Sequence, residues 1–394
     1  MGELKPGWKR VKFAQLAECV NDRVDDPSKS GVDRYVGLDH LDPESLTIRR
    51  WGAPDEVEST KLRFKPGDII FGKRRAYQRK LAVADFEGIC SAHAMVLRAK
   101  SAAVLPEFLP FFMQSDTFME RAVAISVGSL SPTINWKTLA AEEFGLPPLE
   151  EQRRLAGQMR VWTALRETTQ AAAEACTRTR RSYLVNTFRP DRGTTDRFPG
   201  HWRVCAVADA GDSQLGQQRH PMFDSGTNMR PYLRVANVQD GAFDLSDVLT
   251  MHFPEDSLSK FELVPGDIML NEGQSTELVG RSAIYRGEVP RACFQKTLLR
   301  FRCGPDLVPE FAHCFFQHML YTGQFARVVV QTTSMAHLTG VRFAKMPMPV
   351  PPLDEQRGIV DQLGQIDAVQ RALAGRLLGA TEATKQAINE GVGA

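Results

Sequence analysis

The stretch GKRRAYQRKLA, Gly72 to Ala82, concentrates side chains suited to binding a phosphate or a nucleobase. Lys73, Arg74, Arg75, Arg79 and Lys80 surround Tyr77 and Gln78, directly after a Pro-Gly-Asp turn and a short apolar run. Lysine and arginine neutralise phosphates, while arginine and glutamine can pair hydrogen bonds with guanine or adenine edges in the major groove. A solvated surface loop is the alternative reading of such a basic run. Two hydroxyl-rich stretches offer donors of another kind: SLSPTIN, with Ser129, Thr133 and Asn135, and TSMAHLT, with Thr333, Ser334 and His337. Phosphate binding and plain turn capping account for these two equally well.

Catalytic machinery does not stand out. The chain has no P-loop, no G-x-G-x-x-G after a strand, no H-E-x-x-H and no G-x-S-x-G. The Asn-Pro-Pro-aromatic loop of adenine methyltransferases is missing too; the paired prolines are Pro147–Pro148 and Pro351–Pro352. Asp68 and Asp267 have no E-x-K partner of nuclease type and read as turn-stabilising acids. Seven cysteines without a C-x-x-C pair, and His313 and His318 five residues apart, favour reduced thiols and no metal site. A net charge of +2 makes any basic site local, and no run reaches the ~18 apolar residues of a membrane span. The expectation is a cytoplasmic protein that binds rather than catalyses, with no membrane association. A nuclease or methyltransferase with a cryptic active site is the rival reading.

The elements that must position these residues occur twice. KLRFKPGDIIF at Lys61 is answered by KFELVPGDIML at Lys260, LPEFLPFFMQS at Leu105 by VPEFAHCFFQH at Val308, and LPPLEEQRRL at Leu146 by VPPLDEQRGI at Val350. Landmarks kept in one order across 394 residues mean internal duplication. FKPGDII and LVPGDIM predict strand–turn–strand, and the short β-rich runs broken by Gly and Pro predict a mixed sheet in each copy. The position of the basic loop is filled in the second copy by NEGQSTELVGR, in which Asn271, Glu272, Gln274, Ser275 and Thr276 are polar but hardly basic. One scaffold with two chemically different loops suggests two reading heads with different targets.

Each copy ends in a long proline-free stretch. Leu155, Met159, Trp162, Leu165, Thr169, Ala173, Cys176 and Tyr183 alternate in steps near three and four, as do Ile359, Leu363, Ile366, Leu373, Leu377, Ala380, Thr384 and Ile388. That spacing predicts two helices with one seam each, paired antiparallel within the chain. Proline before Glu150, Glu151 or Asp354, Glu355 marks each helix N-terminus. Gly358, Gly364, Gly375 and Gly379 leave the length of the second helix open.

With its duplicated PGDI segments, hydroxyl-rich loops and PPLxEQR helix starts, the chain resembles the specificity subunits of type I DNA restriction–modification systems. The loops KRRAYQRKLA and NEGQSTELVGR resemble that family's target-recognition loops. The resemblance implies an α/β protein with two duplicated target-recognition domains of mixed sheet plus helices, separated by two long helices that form an antiparallel coiled-coil spacer. The expected boundaries are 1–148 and 191–352 for the domains, and 149–190 and 353–394 for the helices. It further implies recognition of a bipartite, asymmetric sequence in double-stranded DNA, with no catalysis by this chain. Two methyltransferase subunits using S-adenosylmethionine are the implied partners, docked near Glu151, Gln152, Arg153 and Glu355, Gln356, Arg357. Restriction subunits driven by ATP and Mg are implied as well. A DNA-binding adaptor of another phage-defence system is the remaining alternative.

Overall fold

A computed structural model describes residues 4–189, 198–331 and 335–392. The chain divides into two compact units, Met1–Ala171 with Gly375–Ala394, and Ala172–Ala374.

Each unit is built on the same four-stranded antiparallel sheet. In the first, Ala17–Val20 pairs with Ala94–Ala99, which pairs with Ile69–Gly72, which pairs with Leu81–Val83. In the second, Gly211–Leu215, Leu298–Cys303, Ile268–Asn271 and Ser282–Ile284 follow in the same order. These strands read as continuous apolar runs because both faces are covered. Ile69 and Phe71 enter one core and Ile70 another, as Ile268 and Leu270 are separated from Met269. A further sheet in each unit contains one parallel pair, Tyr35–Val36 with Gly88–Ser91 and Met229–Leu233 with Cys293–Phe294. One sheet in each copy is therefore mixed, beside a four-stranded sheet that is purely antiparallel.

The Pro-Gly-Asp turns open each central strand. Gly67 and Gly266 have φ of 88° and 98°, in the left-handed region that glycine enters without steric cost. Asp68 accepts from the Lys65 N–H at 2.9 Å and receives Arg98 bidentately at 2.7 and 2.8 Å. Asp267 does the same with Val264 at 2.9 Å and Arg302 at 2.6 and 2.8 Å. Both carboxylates are thus spent on the turn and on one arginine. The strand expected before the second turn is missing, and Leu258–Phe261 closes a helical turn there instead. That segment reaches its neighbour through Leu263 N–H to Ala292 O at 2.8 Å, without a strand ladder to extend it.

The long helices run Leu149–Thr187 and Leu353–Val392. In the first unit Leu155, Ala156 and Met159 share a core with Ile388 and Val392. In the second, Cys176 Sγ meets Ile366 O at 3.6 Å, Arg180 meets Asp367 at 2.6 Å, and Tyr183 bonds Gln362. The helices are antiparallel in both places. The glycines of the second helix do not end it: nothing lies within 4 Å of the space a Cβ would take at Gly358, Gly364, Gly375 or Gly379, so they occupy its open side. The expected first seam fails at Trp162 and Leu165, which are exposed. Neighbouring Arg166 and Glu167 instead turn to the domain, bonding Glu44 O at 2.7 Å and the Thr47 hydroxyl. A helix that must serve both a partner helix and a domain cannot keep a single stripe.

Candidate nucleic-acid interface

The basic loop leaves the central strand at Gly72 and returns at Lys80, where the Gly72 N–H donates to the Lys80 carbonyl at 2.9 Å. The loop of the second unit is closed by the same bond, from Asn271 N–H to the Arg281 carbonyl, also at 2.9 Å. The residue before each closing carbonyl has positive φ, 52° at Arg79 and 80° at Gly280. Two equivalent necks therefore carry two different loops.

In the first loop the cations divide into two groups. Arg79 turns inward: it donates to Asp116 Oδ1 at 2.7 Å and to Gln114 O, and lies 3.5 Å from Glu44. Lys80 donates to Leu38 O at 2.6 Å. Arg74 and Arg75 meet only neutral groups among the described residues, Arg74 at His93 Nε2 (3.2 Å) and both at Ser131 Oγ (3.2 and 3.3 Å). Burial first, then Arg74, Lys73 and Lys61, pushes the His93 pKa down, so a neutral ring accepts from Arg74. Tyr77 is exposed and Gln78 half-buried within a single helical turn, Ala76–Gln78. Lys73 lines a cleft of about 700 Å³ with Asn21, Thr133, Asn135 and Trp136.

The hydroxyl-rich loop lies directly against this surface. Arg75 N–H donates to Pro132 O at 2.7 Å and Ile134 N–H to Lys73 O at 3.0 Å. Ser129 is exposed, and the Thr133 hydroxyl is turned back to Ser131 O at 3.1 Å. Asn135 caps the helix Trp136–Ala141, accepting from Lys137 N–H at 2.9 Å.

In the second loop Asn271 is the root: its side-chain amide is fully buried and meets no partner among the described residues. Glu272 is held by His337 at 3.3 Å, and Leu338 N–H donates to its carbonyl at 2.7 Å. Gln274 accepts from Ser275 N–H at 3.1 Å, and Ser275 and Thr276 form the half-buried turn that follows. Thr333 and Ser334 lie outside the described residues.

At the helix starts, Gln152 and Gln356 depart from the docking role expected of them. They are 1% and 0% exposed, and a buried amide cannot meet a partner. Gln152 accepts from Leu105 N–H at 2.9 Å and donates to Ala103 and Pro147 carbonyls; Gln356 accepts from Val308 N–H at 2.8 Å and donates to Asp306 and Pro351. Each locks a helix to its own domain. Glu151 pairs with Arg154, Arg153 with Glu150 and Arg357 with Asp354, while Glu355 holds Trp202 and His201, both at 2.9 Å.

Residues 52–173 match the family model for the type I restriction modification DNA specificity domain. Over 155 residues (38% of the chain) the sequence is 32% identical to the specificity subunit of the type I restriction enzyme EcoDI of Escherichia coli. Over 339 residues (80% of the chain) it is 21% identical to the EcoKI specificity subunit of E. coli strain K12. The chain is thus similar to type I restriction-enzyme specificity subunits. It spans a third (33%) of the EcoDI specificity subunit's length and 71% of the EcoKI subunit's. The fold is also that of a chain solved in work on complex assembly and conformational transition of the type I R-M system. That chain superimposes with TM-score 0.65 at 20% identity, covering 100% of this chain and 99% of the other. The S subunit of M. genitalium gives TM-score 0.59 at 13% identity, covering 100% and 98%.

Two surfaces lie outside the motifs of the sequence. In the first unit, Val127 and Leu130 project from the hydroxyl-rich loop with 79% and 90% exposure. In the second, exposed Gln218, Arg219 and His220 follow Gln217, which is bound to the turn before the strand Leu298–Cys303: Lys296 N–H donates to Gln217 O at 2.9 Å. Lys296 Nζ reaches Gln218 at 3.3 Å, and Glu272 N–H donates to Thr297 O at 3.0 Å, placing these residues beside the second loop. The run QQRH at 217–220 was the available signal, weak because it contains only one permanent cation.

Proposed function

We propose that this chain is the DNA sequence-recognition subunit of a type I restriction–modification complex, reading a bipartite asymmetric target and carrying out no chemistry itself. The observation that carries this reading is the shared neck: one scaffold, closed twice by the same 2.9 Å bond, presents a cationic loop once and a polar loop once. That arrangement suits the reading of two different half-sites. Lys73, Arg74, Arg75, Tyr77 and Gln78, with Ser129 and Thr133, form the first head, while Arg79 and Lys80 hold its shape. Gln274, Ser275 and Thr276, joined by Gln218, Arg219 and Lys296, form the second. Arginine, glutamine and lysine serve base edges and phosphates alike, and the neck fixes which side chains advance.

The long helices set the distance between the half-sites and dock two methyltransferase subunits, which transfer a methyl group from S-adenosylmethionine to adenine. Restriction subunits using ATP and Mg join the same assembly, and the complex works in the cytoplasm on duplex DNA. The test is to co-express the chain with its methyltransferase and map methylated adenines genome-wide. A two-part motif with an unread spacer is expected. Replacing residues 1–145 with a relative's first domain changes one half of the motif only; a change in both halves, or in neither, contradicts the reading.

A further inference from the structure

We propose that Leu130 is an apolar wedge that enters the base stack of the first half-site, with Arg74 and Arg75 on the phosphates beside it. This rests on the DNA-recognition reading above. Isolated exposed aliphatic residues are ordinary on protein surfaces and need no explanation. Leu130 differs in how it is held. Its loop is a closed hairpin: Val127 N–H donates to Thr133 O at 3.1 Å and Thr133 N–H to Val127 O at 2.9 Å. The hairpin is fixed in turn to the basic loop, through Arg75 N–H to Pro132 O at 2.7 Å and Ile134 N–H to Lys73 O at 3.0 Å. Leu130 therefore cannot fold back into the core, and it is 90% exposed.

The adjacent residue, Ser131, receives both guanidinium groups, Arg74 at 3.2 Å and Arg75 at 3.3 Å. No carboxylate pairs with either arginine among the described residues, whereas Arg79 has Asp116 and Glu44. The two charges remain for an anion. A bulky aliphatic tip collared by unneutralised arginines is the chemistry of side chains that part a base step while cations bind the flanking backbone. An apolar protein surface would bury the leucine but leave both charges unmatched.

The test uses the full chain and a duplex carrying its methylation motif, with a fluorescent base analogue placed at each position of the first half-site in turn. Binding of the wild type raises the fluorescence at one step, as unstacking does. Leu130→Ala abolishes that rise and weakens binding on the order of tenfold, with the salt dependence unchanged. Leu130→Met restores both. Arg75→Ala lowers the salt slope by about one unit and leaves some unstacking. A rise that survives Leu130→Ala, or binding with no rise at any position, overturns the wedge while leaving DNA recognition in place. A wild-type chain that binds no duplex overturns recognition itself, and the wedge with it.

Discussion

Arg79 donates to Asp116 Oδ1 at 2.7 Å, and the rest of Asp116 is taken by Asn389 on the second long helix, whose amide donates at 2.6 Å and accepts from the Asp116 N–H at 2.8 Å. A residue that looks like a DNA contact in the sequence is thus the link between the basic loop and the end of the second long helix. The link decides what an arginine substitution does at this loop.

Arg79→Ala removes the partner of Asp116 and Glu44, and should lower stability by roughly 2 kcal/mol, the worth of a hydrogen bond to a charged group. The urea midpoint falls, while the salt slope of DNA binding holds at its wild-type value. Arg75→Ala, exposed and without a carboxylate partner among the described residues, should do the reverse. Titrations at several salt concentrations, run beside urea unfolding, separate the two. Equal behaviour of the variants would mean that the loop is not divided as described.

Gln152 and Gln356 should be the least replaceable polar residues of the two helix starts. Each alanine variant leaves one N–H and two carbonyls unpaired inside the protein, costing about 2–3 kcal/mol. Exposed Arg153 or Arg357 changed to alanine should move stability by no more than ~0.5 kcal/mol. Thermal unfolding of the four variants is the check, and a Gln356→Ala chain as stable as wild type would rule out the anchoring role.

The duplication was legible because both copies keep Pro, Gly and Asp where dihedral angles and a buried carboxylate paired with an arginine demand them. The mixed sheets and the antiparallel helices follow from local patterns of that kind. The division of labour among Lys73 to Lys80 was not legible, because all five are cations and only the fold brings Asp116 to Arg79. The same holds for the glutamine of the EQR run, which reads as one more polar residue on a helix until its neighbours across the chain are known. The compact units were also hidden: Asp116 and Asn389 lie 273 residues apart, and no local pattern expresses that contact. Leu130 was overlooked for the opposite reason, since an isolated leucine in a loop carries no periodicity at all.

Acidification should weaken the second unit through two buried histidines. Burial holds the pKa of both His313 and His318 below the ordinary histidine value, and His313 donates to Ser282 O at 3.1 Å as a neutral ring. Below about pH 6.5 the unfolded chain takes up protons that the folded one refuses, so stability falls as pH falls. Unfolding measured between pH 7.5 and 5.5 should show this slope, and His313→Gln with His318→Gln should flatten it. An unchanged slope would assign the effect to other groups.

The helices give the last expectation, which rests on the proposed assembly with two methyltransferases. Leu165 and Val369 occupy equivalent positions of the duplicated helices and are 48% and 54% exposed, one in each unit. Neither is needed for folding, since an exposed substitution moves stability by only ~0.5 kcal/mol. Both are apolar where a solvated helix would carry charge, and the same side-chain class recurs at the same place in each copy. If each marks the centre of one docking face, Leu165→Asp should remove one methyltransferase from the complex, Val369→Asp the other, and the double variant both. DNA binding by the chain itself should be retained in all three. Mass measurement of the co-purified complexes reads this directly, in steps of one subunit. Full occupancy in the double variant would place the docking faces elsewhere.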